Sequence, residues 1–490
     1  MDADIIIVGA GLSGICAASL LAEKRPRDRV IVLEAREAIG GTWDLFRYPG
    51  IRSDSDMHTL GYSFRPWLGE RAITDGPSIL DYIRDTARDR DVERLIRFRH
   101  RLLAADWDGT CWRLTVDTPE GEVTLTTRFL LGCTGYYDYG RGYQPDFPGQ
   151  EKFAGPIVHP QHWPEDLDWS GKAVAIIGSG ATAVTLVPEM AREAAHVTMI
   201  QRTPSYVAQM PSRDRVAQAL SRVLPQGAAH GLTRWKNIVM GMATYQLTQA
   251  FPQAMGGMLA RKAAKAAGTG PEPFRAPYGP WDQRLCLAPD GDMFASLAAG
   301  DATVLTGTIA AFERDGIRMT DGTHVPADLI VVATGLVLRL GGGAALSVEG
   351  RPLHFPDHVT YKGAMLSDVP NFAQMFGYTN ASWTLKCELI ARWVIRLLDR
   401  MEVLGVDVAT PVAPDDLALQ TAVPLSSGYI ERARGALPLQ GDRAPWKVHQ
   451  NYLKDIREFR LAPIDDGALR LSRTPQPVPG AGHGADADRA

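Results

Sequence analysis

The sequence predicts an α/β protein in which one plan, a strand, a glycine turn, a helix and a second strand, is used twice. Apolar runs at Ile5–Val8 and Ala173–Ile177 are each followed by a glycine-rich turn and a helix-like stretch. Each unit then closes on another apolar strand, Val30–Leu33 in the first and His196–Ile200 in the second. Continuous apolar strands alternating with helical patterns read as βαβ units around a parallel, buried sheet.

The first turn is Gly9-Ala-Gly11-Leu-Ser-Gly14 and the second is Gly178-Ser-Gly180-Ala-Thr-Ala183. Between a strand and a helix, the first glycine permits the tight turn. The second lets a pyrophosphate approach the backbone at the helix N-terminus, and the third lets the helix pack on the strand. Ala183 at the third position is an accepted variant. Both units are therefore expected to be Rossmann-like dinucleotide-binding domains.

They differ at the end of the second strand. Glu34 stands 20 residues past Gly14, where a carboxylate can accept hydrogen bonds from both ribose hydroxyls. In the second unit Arg202 follows Ala183 by 19 residues. A carboxylate there would repel a 2′-phosphate, whereas a guanidinium binds one bidentately. The first unit thus suits FAD and the second NADPH, with Thr203 adding a hydroxyl contact. The alternative for Arg202 is a solvated surface arginine.

The closing portions repeat as well. Trp112–Val116 and Glu122–Thr126 alternate polar and apolar around Pro119-Glu-Gly121 and read as a hairpin. A separate apolar strand is expected to end in Cys133-Thr-Gly135. In the second half Ile317–Met319, a turn at Asp321-Gly322 and the strand Asp328–Val332 lead to Ala333-Thr-Gly335. Between the halves, residues 211–278 are rich in Ala, Met and Gln with amphipathic spacing, and are expected to be a helical insertion. Residues 475–490, rich in Pro, Gly and Ala, read as a disordered tail.

Length and composition set limits. A chain of 490 residues exceeds one ordinary core, so two or three domains are expected. The net charge of −4 offers no basic surface for nucleic acid. The five cysteines are scattered with no C-x-x-C pair, which speaks against a disulfide scaffold, a zinc site and a redox dithiol, and fits a cytoplasmic protein. No metal site is expected. The first strand begins too early for a signal peptide, and no run of 18 apolar residues marks a membrane span. Loose peripheral membrane contact stays open.

Two gapped motifs narrow the class. The first is Gly40-Gly-Thr42-Trp43 followed by Tyr48-Pro-Gly50 and Asp54. The second runs Phe153-Ala-Gly155-Pro-Ile-Val-His159-Pro-Gln-His-Trp163-Pro164, just before the second βαβ unit. On these strings, and on stretches such as PWDQRLCLAPDGD and GYTNASWTLK, the chain resembles the type I Baeyer–Villiger monooxygenases, in particular their ethionamide-activating branch. The resemblance runs to about Arg473 and is weakest in the helical insertion.

That resemblance implies an FAD domain built from both chain ends (1–144 and 336–474) and an NADP domain set between them (152–210 and 279–335), interrupted by the insertion. It implies that NADPH reduces the flavin and that O₂ adds to give a C4a-peroxyflavin. This intermediate converts ketones to esters or lactones and also oxidises sulfides and thioamides. The implied FAD contacts add Ser13, Thr42, Trp43, Asp54 and Leu102 to Gly9, Gly11, Gly14 and Glu34. The implied NADP contacts are Arg52, Ser179, Gly180, Ala181, Thr182, Ala183, Arg202 and Thr203.

An anionic oxygen adduct needs a positive, water-poor site. The resemblance places that charge at Arg284, and an always-protonated guanidinium with fixed donors suits the task. The bland alternative pairs Arg284 with Asp282 or a surface acid. Asp54 matches the acid that holds this arginine near the flavin; an Asx turn is its alternative. His159 is expected to be a conformational residue of the linker, and Trp163 to pack. Many relatives have a lysine where this chain has Gln283, so selectivity for NADPH rests more heavily on Arg202. In the insertion, Trp235, Met240, Met242, Tyr245 and Phe251 line a substrate channel, contact a membrane or form simple core; spacing does not decide.

The nearest rival reading is an N- or S-oxygenating flavin monooxygenase, whose fingerprint usually lacks the Trp163-Pro164 ending. A disulfide-type flavin reductase needs a cysteine pair that is absent. A catalytically silent flavin sensor would bind FAD without steady NADPH oxidation.

Overall fold

β1 (Ala3–Val8) enters the first sheet at once, and α1 (Leu12–Lys24) returns the chain to β2 (Val30–Glu34), which pairs with β1 in parallel. This computed structural model describes residues 1–423 and 426–474, so the tail predicted as disordered lies outside the described residues. Two one-turn helices, α2 (Thr42–Leu45) and α3 (Met57–Leu60), and the longer α4 (Gly76–Asp89) follow. β3 (Ile96–Phe98) extends the sheet beside β2.

β4 (Arg101–Trp107), β5 (Trp112–Thr118) and β6 (Gly121–Gly132) form an antiparallel meander. Here the sequence reading needs correction. The second hairpin arm and the apolar strand ending at Cys133 are one continuous strand, β6. Its first half pairs antiparallel with β5, and its second half pairs in parallel with β1 and with Phe372–Gln374. The apolar period changes along β6 because one half faces solvent on one side and the other is buried on both. The complete sheet has nine strands and includes residues 345–348 and 351–352.

The chain leaves through β7 (Tyr137–Gly142) and supplies β8 (Ile157–Val158) to a second sheet. The Phe153–Pro164 fingerprint therefore contains an edge strand of the second domain. β9 (Ala173–Ile177), α5 (Ala181–Met190) and β10 (His196–Gln201) form the second βαβ unit. β11 (Val207–Met210) leads into the insertion, α6 (Arg215–Val223), α7 (Gln226–Ala250) and α8 (Pro252–Ala267), which is helical as expected.

β12 (Cys286–Pro289) pairs with β11, so the insertion starts and returns at one two-stranded ribbon. After α9 (Asp292–Ala299) and β13 (Ala302–Thr306), β14 (Ile309–Glu313), β15 (Gly316–Met319) and β16 (His324–Pro326) make a separate antiparallel sheet. In the first half the meander is part of the main sheet; in the second it is not. β17 (Leu329–Val332) completes the parallel order β13-β10-β9-β17-β8.

The return path is β18 (Leu336–Leu338), which pairs antiparallel with β7. Both connections between the two sheets thus cross as one ribbon. α10 (Trp383–Leu404) then packs its buried face on α1 within the first core.

Candidate active site

The two glycine turns are built to leave helix N-termini open. Gly9 has φ +107°, and a Cβ on Gly14 would lie 1.8 Å from the Gly9 carbonyl oxygen, so only glycine lets α1 pack here. Neither Gly11 nor Gly180 offers a capping side chain, so α1 and α5 begin with free amides. A Cβ on Gly180 would meet no atom within 4 Å, so that glycine guards empty room and not a protein contact. Open amides beside an empty cradle fit a dinucleotide pyrophosphate. Around them, Ala183 is fully buried, Ala181 and Thr182 are half-buried, and the Ser179 hydroxyl donates to the Thr203 carbonyl at 3.1 Å.

Glu34 is buried at the end of β2. Its two carboxylate oxygens accept the amides of Ala10 at 2.7 Å and Arg36 at 2.9 Å. Burial pushes this carboxyl above its ordinary value, while the two amide bonds and Arg36 oppose the shift. Each oxygen retains a lone pair for a ribose hydroxyl. Arg202, by contrast, is exposed, and no ion pair engages it among the described residues. The two strand ends therefore present one buried acid and one exposed cation with no ion pair among the described residues.

Arg284, in the loop before β12, meets Asp54, in the loop before α3, with Nε 3.5 Å from Oδ2. Burial disfavours the guanidinium's charge, yet the Asp54 carboxylate holds it above the ordinary value, with Tyr136 and Tyr429 nearby. Among the described residues Arg284 pairs with Asp54 and not with Asp282, whose carboxylate accepts the Gly279 amide at 2.7 Å. Trp281, at the start of the same loop, has φ +75°, and its buried Nε1 has no partner among the described residues. Backbone strain in a bulky residue is characteristic of functional loops. Cys286 beside the arginine is pushed up to about 12 by burial, so its thiol stays neutral.

Other predicted residues take varied places. Ser13 accepts the indole N–H of Trp383 at 2.9 Å, which ties α1 to the start of α10. Thr42 accepts the Tyr137 hydroxyl at 2.7 Å, and Trp43 packs on the first core. Leu102 is buried in β4 against the core that includes Val8 and Leu130. Arg52 is held by Asp292 of α9, so its charge is already engaged across the two domains. Phe153 packs on Phe312, and Gly155 is required where a Cβ would lie 2.2 Å from the Asp328 carbonyl. Trp163 meets Trp169 edge-on at 6.1 Å, as expected of a packing residue.

His159 sits at the crossing of the two connections. Its ring fills the place a Gly142 side chain would occupy, and its Nδ1 accepts the Gln161 amide at 3.2 Å. Burial lowers its basicity, and its Nε2 is buried without a partner among the described residues. Tyr136 and Tyr429 were missed by the sequence reading. Tyr136 follows Cys133-Thr-Gly135 directly, and that position was the available signal. One group of potential metal ligands, Glu313, Asp315 and His324, lies on the β14–β16 sheet, but Glu313 is already held by Arg318 at 2.9 Å.

Comparison with known proteins agrees with this geometry. Residues 7–68 match an NAD(P)-binding Rossmann-like domain, and residues 72–229 match the flavin-binding monooxygenase-like family. The FAD-containing monooxygenase EthA of Mycobacterium tuberculosis is 47% identical over 97% of this chain and 99% of its own. The EthA of Mycolicibacterium smegmatis is 47% identical over 96% of this chain and 97% of its own. Among solved structures, an oxidized steroid monooxygenase bound to NADP superposes with a TM-score of 0.76 at 22% identity, covering 96% of this chain and 100% of that one. An open cyclohexanone monooxygenase gives 0.68 at 21% identity, covering 84% and 90%. With that identity sustained along nearly its whole length and a free helix N-terminus at each of two nucleotide folds, the chain belongs to the FAD-containing monooxygenases and uses FAD and NADPH as cofactors.

Proposed function

We propose that this protein performs Baeyer–Villiger oxygenation, inserting one atom of O₂ beside a ketone carbonyl to give an ester or lactone. The other oxygen atom leaves as water, and NADPH supplies the electrons. The observation that carries this reading is the Arg284–Asp54 pair, whose arginine comes from a loop that opens on Trp281 in a left-handed backbone conformation.

When bound and reduced, the flavin supplies the activated oxygen. The chain's own residues do the rest. Arg284 presents a fixed positive charge where negative charge develops, and Asp54 orients its guanidinium. Tyr136 and Tyr429 stand near the arginine, and burial raises both phenols so that they stay neutral and place no competing anion there. Glu34 receives the ribose of FAD, and Arg202 with Thr203 receives the 2′-phosphate of NADPH. The amides opening α1 and α5 take the two pyrophosphates.

The proposed domain division is 1–144 with 336–474 for FAD and 152–210 with 279–335 for NADP, with the insertion at 211–278. A ribbon of β7 and β18 with His159 at its crossing suits a hinge that relates the two. A cytoplasmic location accords with five buried, unpaired cysteines.

Oxygenation of sulfides and thioamides is a second activity of the same site. Product analysis with a phenylketone and a medium-chain 2-ketone tests the reading. Ester formation coupled to NADPH consumption is expected; oxygenation confined to sulfides and amines would reject it.

A further inference from the structure

α7 departs from the rule for a surface helix, which turns its charged face to water. Its inner face is anchored: Arg234 is buried 3.4 Å from Glu388 of α10 and donates to the carbonyls of His58 at 2.9 Å and Gly61 at 2.7 Å. Its outer face carries Leu232, Trp235, Val239, Met240 and Leu247 and runs on to Phe251, all exposed, from 45% at Trp235 to 60% at Phe251. From Leu232 to Phe251 this strip runs about 28 Å. The only other charged side chain of α7, Lys236, is bonded to Asp214 at 2.6 Å. An apolar strip of this length on a monomer marks a contact surface.

The charge is displaced to the flanks. Arg215 and Arg222 on α6 and Arg261, Lys262 and Lys265 on α8 are exposed, and none is ion-paired among the described residues. Residues 211–270 hold eight lysines and arginines against one acid, Asp214, in a chain of net charge −4. A twofold contact would set this patch against its own copy and bring like charges together. Anionic headgroups complement it instead.

We propose that α7, with the flanking faces of α6 and α8, docks the protein on an anionic bilayer. The apolar side chains enter the boundary between headgroups and acyl chains, and the five basic side chains lie among the phosphates. No described helix is long and apolar enough to cross a membrane, so the contact lies in the plane of the surface. Tyr245 of α7 meets Trp281 with ring centroids 5.7 Å apart, so the docked helix adjoins the loop that carries Arg284. An apolar substrate dissolved in the bilayer is thereby presented beside the site. The inference rests on exposure and charge and is independent of the ketone reading.

The test is co-sedimentation of the full-length, FAD-loaded protein with vesicles of phosphatidylcholine alone or mixed equally with phosphatidylglycerol. Binding to the anionic vesicles is expected to be at least about tenfold stronger and to weaken at high salt. Val239→Asp with Leu247→Asp removes binding while bound flavin, melting temperature and NADPH oxidation with a soluble ketone stay unchanged. Lys262→Glu with Lys265→Glu weakens binding to anionic vesicles alone. Equal binding to both vesicle types, no binding to either, or undiminished binding by the Asp variant overturns the proposal. So does a solution dimer that the Asp variant dissociates, because the strip would then face a second copy.

Discussion

The Nε of Arg284 lies 3.5 Å from Oδ2 of Asp54, although the two residues enter the fold from separate halves of the chain. Their side chains are only partly buried, at 35% and 25% exposed, so the pair adds little to stability. Its value is positional: a charge held in place before the reaction begins costs nothing to reorient during it.

Arg284→Ala is expected to leave NADPH-driven flavin bleaching intact and to suppress oxygenated product by about a hundredfold, equivalent to about 3 kcal/mol. NADPH consumption then continues with hydrogen peroxide as the product. Single-turnover reduction and product yield measured on the same preparation check this; ester formed at the wild-type rate refutes the role.

Asp54→Asn keeps the shape and removes the charge that orients the guanidinium. Product yield per NADPH should fall by about tenfold, since one charge-assisted contact is lost, while flavin content stays constant. Unaltered coupling would show that Arg284 is positioned by other groups.

Gly180→Ala and Gly14→Ala should separate binding from folding. At Gly180 the added methyl meets no protein atom within 4 Å, so the melting temperature should hold while KM for NADPH rises. At Gly14 the methyl would stand 1.8 Å from the Gly9 carbonyl, so the fold itself should lose about 1–3 kcal/mol. Thermal unfolding alongside NADPH titration checks both. A Gly180→Ala protein with normal KM would argue against the pyrophosphate cradle.

Arg202→Ala should raise KM for NADPH much more than for NADH, because in the proposed reading the guanidinium binds the 2′-phosphate that only the former carries. The effect should be large, since Gln283 supplies no second cation. Equal changes for both nucleotides would remove Arg202 from phosphate recognition.

His230 on α7 is buried, and burial, with Arg234 and His58, lowers its value to about 4, below the ordinary 6.5. The unfolded chain therefore takes up this proton first. Stability from the neutral imidazole is complete above about pH 6.5 and is lost as the pH falls towards 4, by about 3 kcal/mol in all. Melting temperatures across that window should drop for the wild type and flatten for His230→Gln. Parallel curves would show that other groups dominate the acid limb.

The βαβ units, their glycine turns and the contrast between Glu34 and Arg202 were legible in the sequence, because they depend on local period and on backbone chemistry within a few residues. The continuity of β6 was not. Its halves differ in periodicity because they have different neighbours, and a neighbour is a property of the folded sheet. Asp54 and Arg284 could be nominated from motifs, but Tyr136 and Tyr429 emerged only when distant segments converged on the same guanidinium. Spacing alone left Trp235 and Phe251 undecided between core and surface. Helical periodicity reports that a helix has faces, not which face packs. The buried Arg234–Glu388 clamp fixed that orientation and turned the apolar strip to the outside. The sequence determined the two nucleotide folds and the acid and arginine that end their second strands; tertiary packing decided which side chains surround Arg284 and what the protein shows to its surroundings.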